Sequence, residues 1–230
     1  MSRRKSSTLF ALQMAMCALL LAACGVEPSS NSTPSAPTPP AERAPAAPAA
    51  PSGAQAQAGT TIVTRADGSA AWTLRLDGNH VELAGPDGAR LIGELRGDKR
   101  RYRRESDGAA IAEVKFSDGG FKLRTPESQL LWKVKFGDDK IKVSNNEENQ
   151  NPWVLKTGYS DKAKVLNPVE MEVGEVRFKE ERIKVRNAAG SDEYLIDTTR
   201  RSAAFGVLQM SELSPQHQGI IMVELLASGR

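Results

Sequence analysis

Hydrophobic and polar residues alternate with a period of two through most of the chain between Thr61 and Ile196. Trp132, Val134 and Phe136 alternate with Lys133 and Lys135; Gly137-Asp138-Asp139 breaks the run, and Ile141 and Val143 then alternate with Lys140 and Lys142. Such a pattern predicts an antiparallel hairpin with one dry face and one wet face. "EVKFSDGGFKLR" at 113–124 and "EVRFKEERIKVR" at 175–186 write the same hairpin again. Aligned on the central apolar residue of each first arm, five units are anchored at Leu95, Val114, Val134, Leu155 and Val176, spaced by 19, 20, 21 and 21 residues. Upstream, "AWTLRLDGNHVELAGPDGARLIGEL" continues the texture, with Asp77-Gly78 and Asp87-Gly88 as turn signals. About twelve to fourteen short strands are expected, and the period is about half of what a four-stranded propeller blade needs, so a long up-and-down meander fits better.

After Ile196 the period of two is lost, and helices are expected over about 202–213 and 215–228. Ser214 is a good N-cap, Pro215 suits the first helical position and Gly229 follows the end. Between Gly219 and Ala227 only Glu224 is strongly polar, and a helix that is apolar all round is buried all round. At about thirteen residues, or roughly 20 Å, it is too short to cross a membrane. The simplest host is the inside of a closed sheet, because closure also removes the exposed edges of a long meander. The expected fold is therefore mainly β, an antiparallel up-and-down meander over 61–230 closing into a barrel around an apolar C-terminal helix. With its "DG" hairpins from Asp77 to Lys184 and its "GIIMVELLA" at 219–227, the domain resembles the tubby and LURP-one-like group, which includes proteins similar to phospholipid scramblases. That resemblance implies a barrel wrapped around a helix. No ligand-binding signature of the group is matched, so it implies no site residue.

The N-terminal segment has a different character. Arg3, Arg4 and Lys5 precede an apolar run from Leu9 to Ala23, the order of a signal peptide over 1–23. "LAAC" at 21–24 resembles the lipobox of bacterial lipoprotein precursors, which implies Cys24 as an acylated mature N-terminus held in a membrane by its lipid. Gly25 is not the aspartate that commonly retains such proteins in the inner membrane of enteric bacteria, which favours the outer membrane. Residues 24–60 are rich in Pro, Ala, Ser and Gly, a composition that cannot bury enough surface to fold and that reads as a disordered linker. The two cysteines are Cys17 and Cys24, so the domain has no thiols to pair and depends on its core.

Charge adds a candidate surface. One residue after each anchor stands a cation, Arg96, Lys115, Lys135, Lys156 or Arg177; eight or nine residues after the anchor stands another, Arg103, Lys122, Lys142, Lys164 or Lys184. Each first cation is expected directly across its hairpin from the second, on the outward face, where like charges destabilise the pair. These ten are the candidate anion-binding residues, for lipid phosphate or anionic glycan. Solvated strand faces also carry such residues routinely, and Glu113 opposite Arg124 and Glu175 opposite Arg186 are expected to interleave carboxylates. The formal net charge is +3, and Arg3, Arg4 and Lys5 leave with the signal, so nucleic acid is not an expected partner.

Catalytic chemistry finds little purchase. The two histidines, His80 and His217, are not spaced as a metal site, and no nucleophile elbow, phosphate-binding glycine loop or Cys/His pair is present. Asp138-Asp139 and Glu147-Glu148 read as turn residues, the polar stretch at 144–153 as a connecting loop, and Trp72, Trp132 and Trp153 as packing residues in strand arms. No metal and no cofactor are expected. Three classes follow: an envelope lipoprotein whose non-catalytic barrel binds lipid, glycan or protein; a structural or assembly accessory with a protein partner; and, with least support, an unrecognised hydrolase.

Overall fold

The computed structural model describes residues 59–198 and 200–230. The expected signal peptide over 1–23, Cys24 and the expected linker as far as residue 58 lie outside the described residues, while Gly59 and Thr60, expected to end that linker, instead open the first strand. Fourteen strands follow one another: β1 (Gly59–Arg65), β2 (Ala70–Asp77), β3 (His80–Ala84), β4 (Arg90–Arg96), β5 (Lys99–Arg104), β6 (Ala110–Ser117) and β7 (Gly120–Arg124). β8 (Leu130–Phe136), β9 (Lys140–Ser144), β10 (Trp153–Lys156), β11 (Lys162–Leu166), β12 (Glu172–Phe178), β13 (Ile183–Asn187) and β14 (Asp192–Ile196) complete the series. Every strand pairs antiparallel with the next, and β14 returns to β1 through Val63–Ile196, Thr64–Leu195 and Arg65–Tyr194. The meander is thus a closed barrel, and the count falls at the top of the expected range.

Alternation decides which side chains fill the barrel. Val114, Val134, Leu155, Val176 and their partners Leu123, Val143, Val165 and Val185 point inward and are buried. The intervening Lys and Arg residues face out. Turns at 78–79, 97–98, 118–119, 137–139, 157–161 and 179–182 define one end, where β1 also begins; we call it the entry end. The remaining turns, including 85–89, 125–129 and 145–152, define the far end.

After β14 the chain enters the lumen. Ala203–Gln209 forms a 3-10 helix rather than the α-helix expected over 202–213, with Ser202 Oγ accepting the Ala204 amide at 3.1 Å. Gly206 lets this segment lie against the wall, since a Cβ there would come within 2.7 Å of Leu155 Cδ2. The α-helix α1 (Pro215–Ala227) then returns toward the entry end, capped by Ser214 Oγ, which accepts the His217 amide at 3.3 Å. Gly219 through Leu226 are all buried, the all-round burial expected of an all-round apolar helix. Gly219 fits against Trp72, whose Cζ3 would stand 2.5 Å from any Cβ there. One core cluster runs from the wall through both lumen segments, so residues 59–230 carry a complete hydrophobic interior of their own. No helix among the described residues is long and apolar enough to cross a membrane.

Candidate functional site

Two sets of charged residues stand out, one inside the barrel and one on its wall. The inner set follows from strand parity: in "KRRYRR", Lys99, Arg101 and Arg103 face out, which sends Arg100 and Tyr102 into the lumen. There Arg100 Nη1 donates to Glu224 Oε2 at 2.6 Å, and Tyr102 Oη donates to Glu224 Oε1 at 2.5 Å. Arg100 is 3% exposed and the other two are fully buried. Burial pushes the Glu224 carboxyl upward even though Arg100 and Tyr102 favour its charged form. Burial, reinforced by the Glu224 charge, also holds the Tyr102 phenol well above its usual range. Arg100 Nε has no partner among the described residues, but its guanidinium lies 5.9 Å from the Phe116 ring centre. The pair sits in the last turn of α1, where the helix dipole disfavours a carboxylate, so the contact with Arg100 offsets both burial and dipole. The sequence marks Glu224 as the one charge on an apolar helix; Arg100 at an inward position was the unread signal for its partner.

The outer set is the repeated basic face, and its register is now explicit. Lys115 lies across from Lys122, Lys135 from Lys142, Lys156 from Lys164 and Arg177 from Lys184, as expected. Arg96 and Arg103 break the scheme. Arg96 faces Lys99, while Arg103 faces Ile92 and Ala110. The error lies in the anchor: this hairpin turns at Gly97-Asp98, so the equivalent of Val114 is Gly93, which faces Tyr102 as Val114 faces Leu123. A hydrophobic alignment cannot see a glycine. It is required there, because a Cβ would lie 2.7 Å from Tyr102 Cε1 and 2.9 Å from Arg100 Cδ. Counted from Gly93, the outward pair is Glu94 with Arg101, and in the preceding hairpin it is Arg75 with Glu82. Two hairpins therefore carry opposite charges at the position where four carry like charges.

Carboxylates neutralise much of this face. Glu113 and Glu175 lie across from Arg124 and Arg186 as expected, yet their ion pairs run sideways to other partners. Glu94 holds Arg96 at 3.3 Å and Arg103 at 3.1 Å; Glu113 holds Lys99 at 2.8 Å and Arg101 at 3.2 Å. Glu172 holds Lys164 at 2.7 Å, Glu175 holds Arg177 at 2.6 Å, and Asp192 holds Lys184 at 2.5 Å. The hydrogen bond from Lys99 keeps the Glu113 carboxyl low, and that from Lys184 does the same for Asp192. The loop at 144–153 is more than a connection. Glu147 reaches back to Lys122 at 2.7 Å and Arg124 at 2.9 Å, while its carbonyl accepts from Lys133 Nζ. Asn149 and Asn151 take positive φ values of 59° and 44°, which asparagine tolerates and which fold the loop back over β7 and β8.

Of the ten sequence-derived candidates, Lys115, Lys135, Lys142 and Lys156 have no carboxylate within 4.0 Å among the described residues, and neither has Lys140. A hollow of about 370 Å³ lies elsewhere on the wall, lined by Glu94, Arg96, Arg101, Arg103, Glu113 and Pro126, its arginines held by its two carboxylates.

His80 Nε2 lies 3.2 Å from Glu82 Oε1 on the wall, and His217 Nδ1 accepts from Trp132 Nε1 at 3.3 Å, with burial pushing its pKa down. Asp138 and Asp139 are exposed in their turn. No group of three or more His, Cys, Asp or Glu side chains suited to a metal occurs among the described residues. Trp72, Trp132 and Trp153 are buried in the core. No protein family, curated protein or solved structure matches this chain.

Proposed function

We propose that the chain is a bacterial envelope lipoprotein, anchored by acylation of Cys24, whose barrel is a non-catalytic binding module for anionic lipid or glycan. "LAAC" and the signal-like segment before it support the anchor, and Gly25 favours the outer membrane. One observation carries the binding reading: the lumen is filled by the chain's own helix, which leaves the outer wall as the recognition surface, and part of that wall keeps its cations free of carboxylates.

Labelled palmitate supplied to cells making the full chain is expected on the wild type and not on Cys24→Ser, with density fractionation placing the wild type in the outer membrane. For binding, the isolated 59–230 body is offered to anionic vesicles and to an anionic polysaccharide. Salt-reversible retention by either supports the reading, and indifference to both removes it. A second reading, an accessory that docks a protein partner, draws on Val169 and Met171, 69% and 60% exposed in the far-end turn between β11 and β12.

A further inference from the structure

The unneutralised cations are not scattered. Lys135 on β8 lies directly across from Lys142 on β9, and Lys140 on β9 directly across from Lys156 on β10. These four occupy three adjacent strands, two rungs deep. Lys135, Lys140 and Lys156 are exposed, Lys142 is half-buried, and none has a carboxylate within 4.0 Å among the described residues. Their other lateral neighbours add no negative charge: Lys135 faces Gly120, Lys142 faces Val154 and Lys156 faces Lys164. Lys115 on β6 and Lys122 on β7, the strand next to β8, face each other in the same way, but Lys122 is held by Glu147.

Like charges directly opposed in a sheet destabilise it, and this wall answers them elsewhere with Glu94, Glu113, Glu147, Glu172, Glu175 and Asp192. On β8–β10 the repulsion is left standing. The surface there is the outer face of a sheet, and the arginine-lined hollow lies over β4–β6 instead. The four lysines stand on an open strand face rather than in that hollow. Lysine is a mobile point charge without the planar fork that grips a single phosphate or carboxylate, so the patch reads charge density over an area. All three tryptophans are buried, which leaves no indole platform on which a sugar ring would stack. At the edge of the patch, Tyr159 is 42% exposed, with Lys162 and Lys164 each 5.8 Å from its ring centre, an amphipathic aromatic suited to a headgroup layer.

We propose that Lys135, Lys140, Lys142 and Lys156, bordered by Tyr159, form the surface on which the barrel lies against an anionic bilayer. This rests on the binding-module reading above and selects lipid over glycan. Contact is side-on, because an end-on approach would press Asp138, Asp139 and Asp161 of the entry-end turns against the same phosphates.

The test uses two variants that remove the same charge from different places. In the 59–230 body, K135Q/K140Q/K142Q/K156Q removes the patch, whereas R96Q/R101Q/R103Q/K184Q removes four cations away from it that already have carboxylate partners. Both are sedimented with vesicles of phosphatidylglycerol in phosphatidylcholine at low and high salt, after thermal melts establish that each folds. At about fivefold per lysine near an anionic surface, the patch variant is expected to lose at least about a hundredfold in partitioning, and the control about tenfold or less. A Tyr159→Ser variant is expected to lose a few-fold that salt does not restore. If the wild type binds vesicles and the two quadruple variants fall equally, or the patch variant binds unchanged, the patch is overturned while the binding-module reading stands. Retention by an anionic polysaccharide without retention by vesicles overturns the choice of lipid. A wild type that ignores both overturns the patch and the reading together.

Discussion

Inside the barrel one carboxylate meets one guanidinium out of water; on the wall, carboxylates and cations meet at similar distances in water. The Arg100–Glu224 contact at 2.6 Å and the Arg177–Glu175 contact at 2.6 Å are alike in length and unlike in consequence. Breaking a buried pair strands a charge in a low dielectric, whereas solvent re-solvates each half of a wall pair. Distance alone therefore says little about what an ion pair contributes. The wall tolerates the loss of a single pair at little cost, whereas the lumen, where one contact registers a helix, does not.

Removing Glu224 is the most severe way to probe that contrast. Glu224→Leu leaves Arg100 charged and unpaired and is expected to cost about 3–5 kcal/mol, read by denaturant unfolding. Arg100→Met is expected to cost less, because a carboxyl already pushed upward by burial can take a proton, whereas a guanidinium cannot give one up. The triple variant R100M/Y102F/E224L is expected to lie within about 1–2 kcal/mol of the wild type or above it. Equal costs for the two single variants would contradict the asymmetry.

Steric matching of helix to wall comes next. Gly219→Val puts side-chain atoms where Trp72 already stands, and an overpacked site of this kind is expected to lose about 1–3 kcal/mol in the same assay. A smaller effect is specific to pH. Burial holds His217 below its unfolded pKa of about 6.5, so the folded state resists a proton that the unfolded state accepts. That contribution is complete above pH of about 6.5 and is lost as pH falls from there toward the folded pKa. His217→Gln keeps an acceptor for Trp132 Nε1 and is expected to flatten the acid-side decline of the melting temperature relative to wild type. The weakest expected effect is on the wall: Glu113→Gln releases Lys99 and Arg101 into solvent and is expected to shift stability by about 1 kcal/mol or less, and less again at high salt.

Much of this architecture was legible because it repeats. Period-two alternation located the hairpins, and the all-apolar "GIIMVELLA" demanded an enclosure, so barrel and plug followed together. The cations of four hairpins paired as the sequence implied because their turns fall at a constant distance from an apolar anchor. The fifth, at Arg96 and Arg103, failed because its anchor is Gly93, chosen for the space that Tyr102 and Arg100 need rather than for hydrophobicity. The segment after Ser202 was legible as helical but not as 3-10, since its geometry is set by close approach of Gly206 to Leu155 and Val165. Which cations would be neutralised was hidden for a different reason. Glu147 reaches Lys122 and Arg124 on β7 from an irregular loop in which Asn149 and Asn151 take positive φ, an arrangement with no periodic trace.

The route of the chain through its own lumen has a practical corollary. The first strand starts at Gly59, across from Leu76 and beside the turn at 78–79, while Arg230 stacks 5.0 Å from the ring centre of Phe136, beside the turn at 137–139. Start and finish share a rim. A fluorescent protein or epitope joined after Arg230 would thus crowd the rim where the first strand begins, whereas a short insertion at Asp87-Gly88 or Pro126-Glu127 would report from the opposite rim.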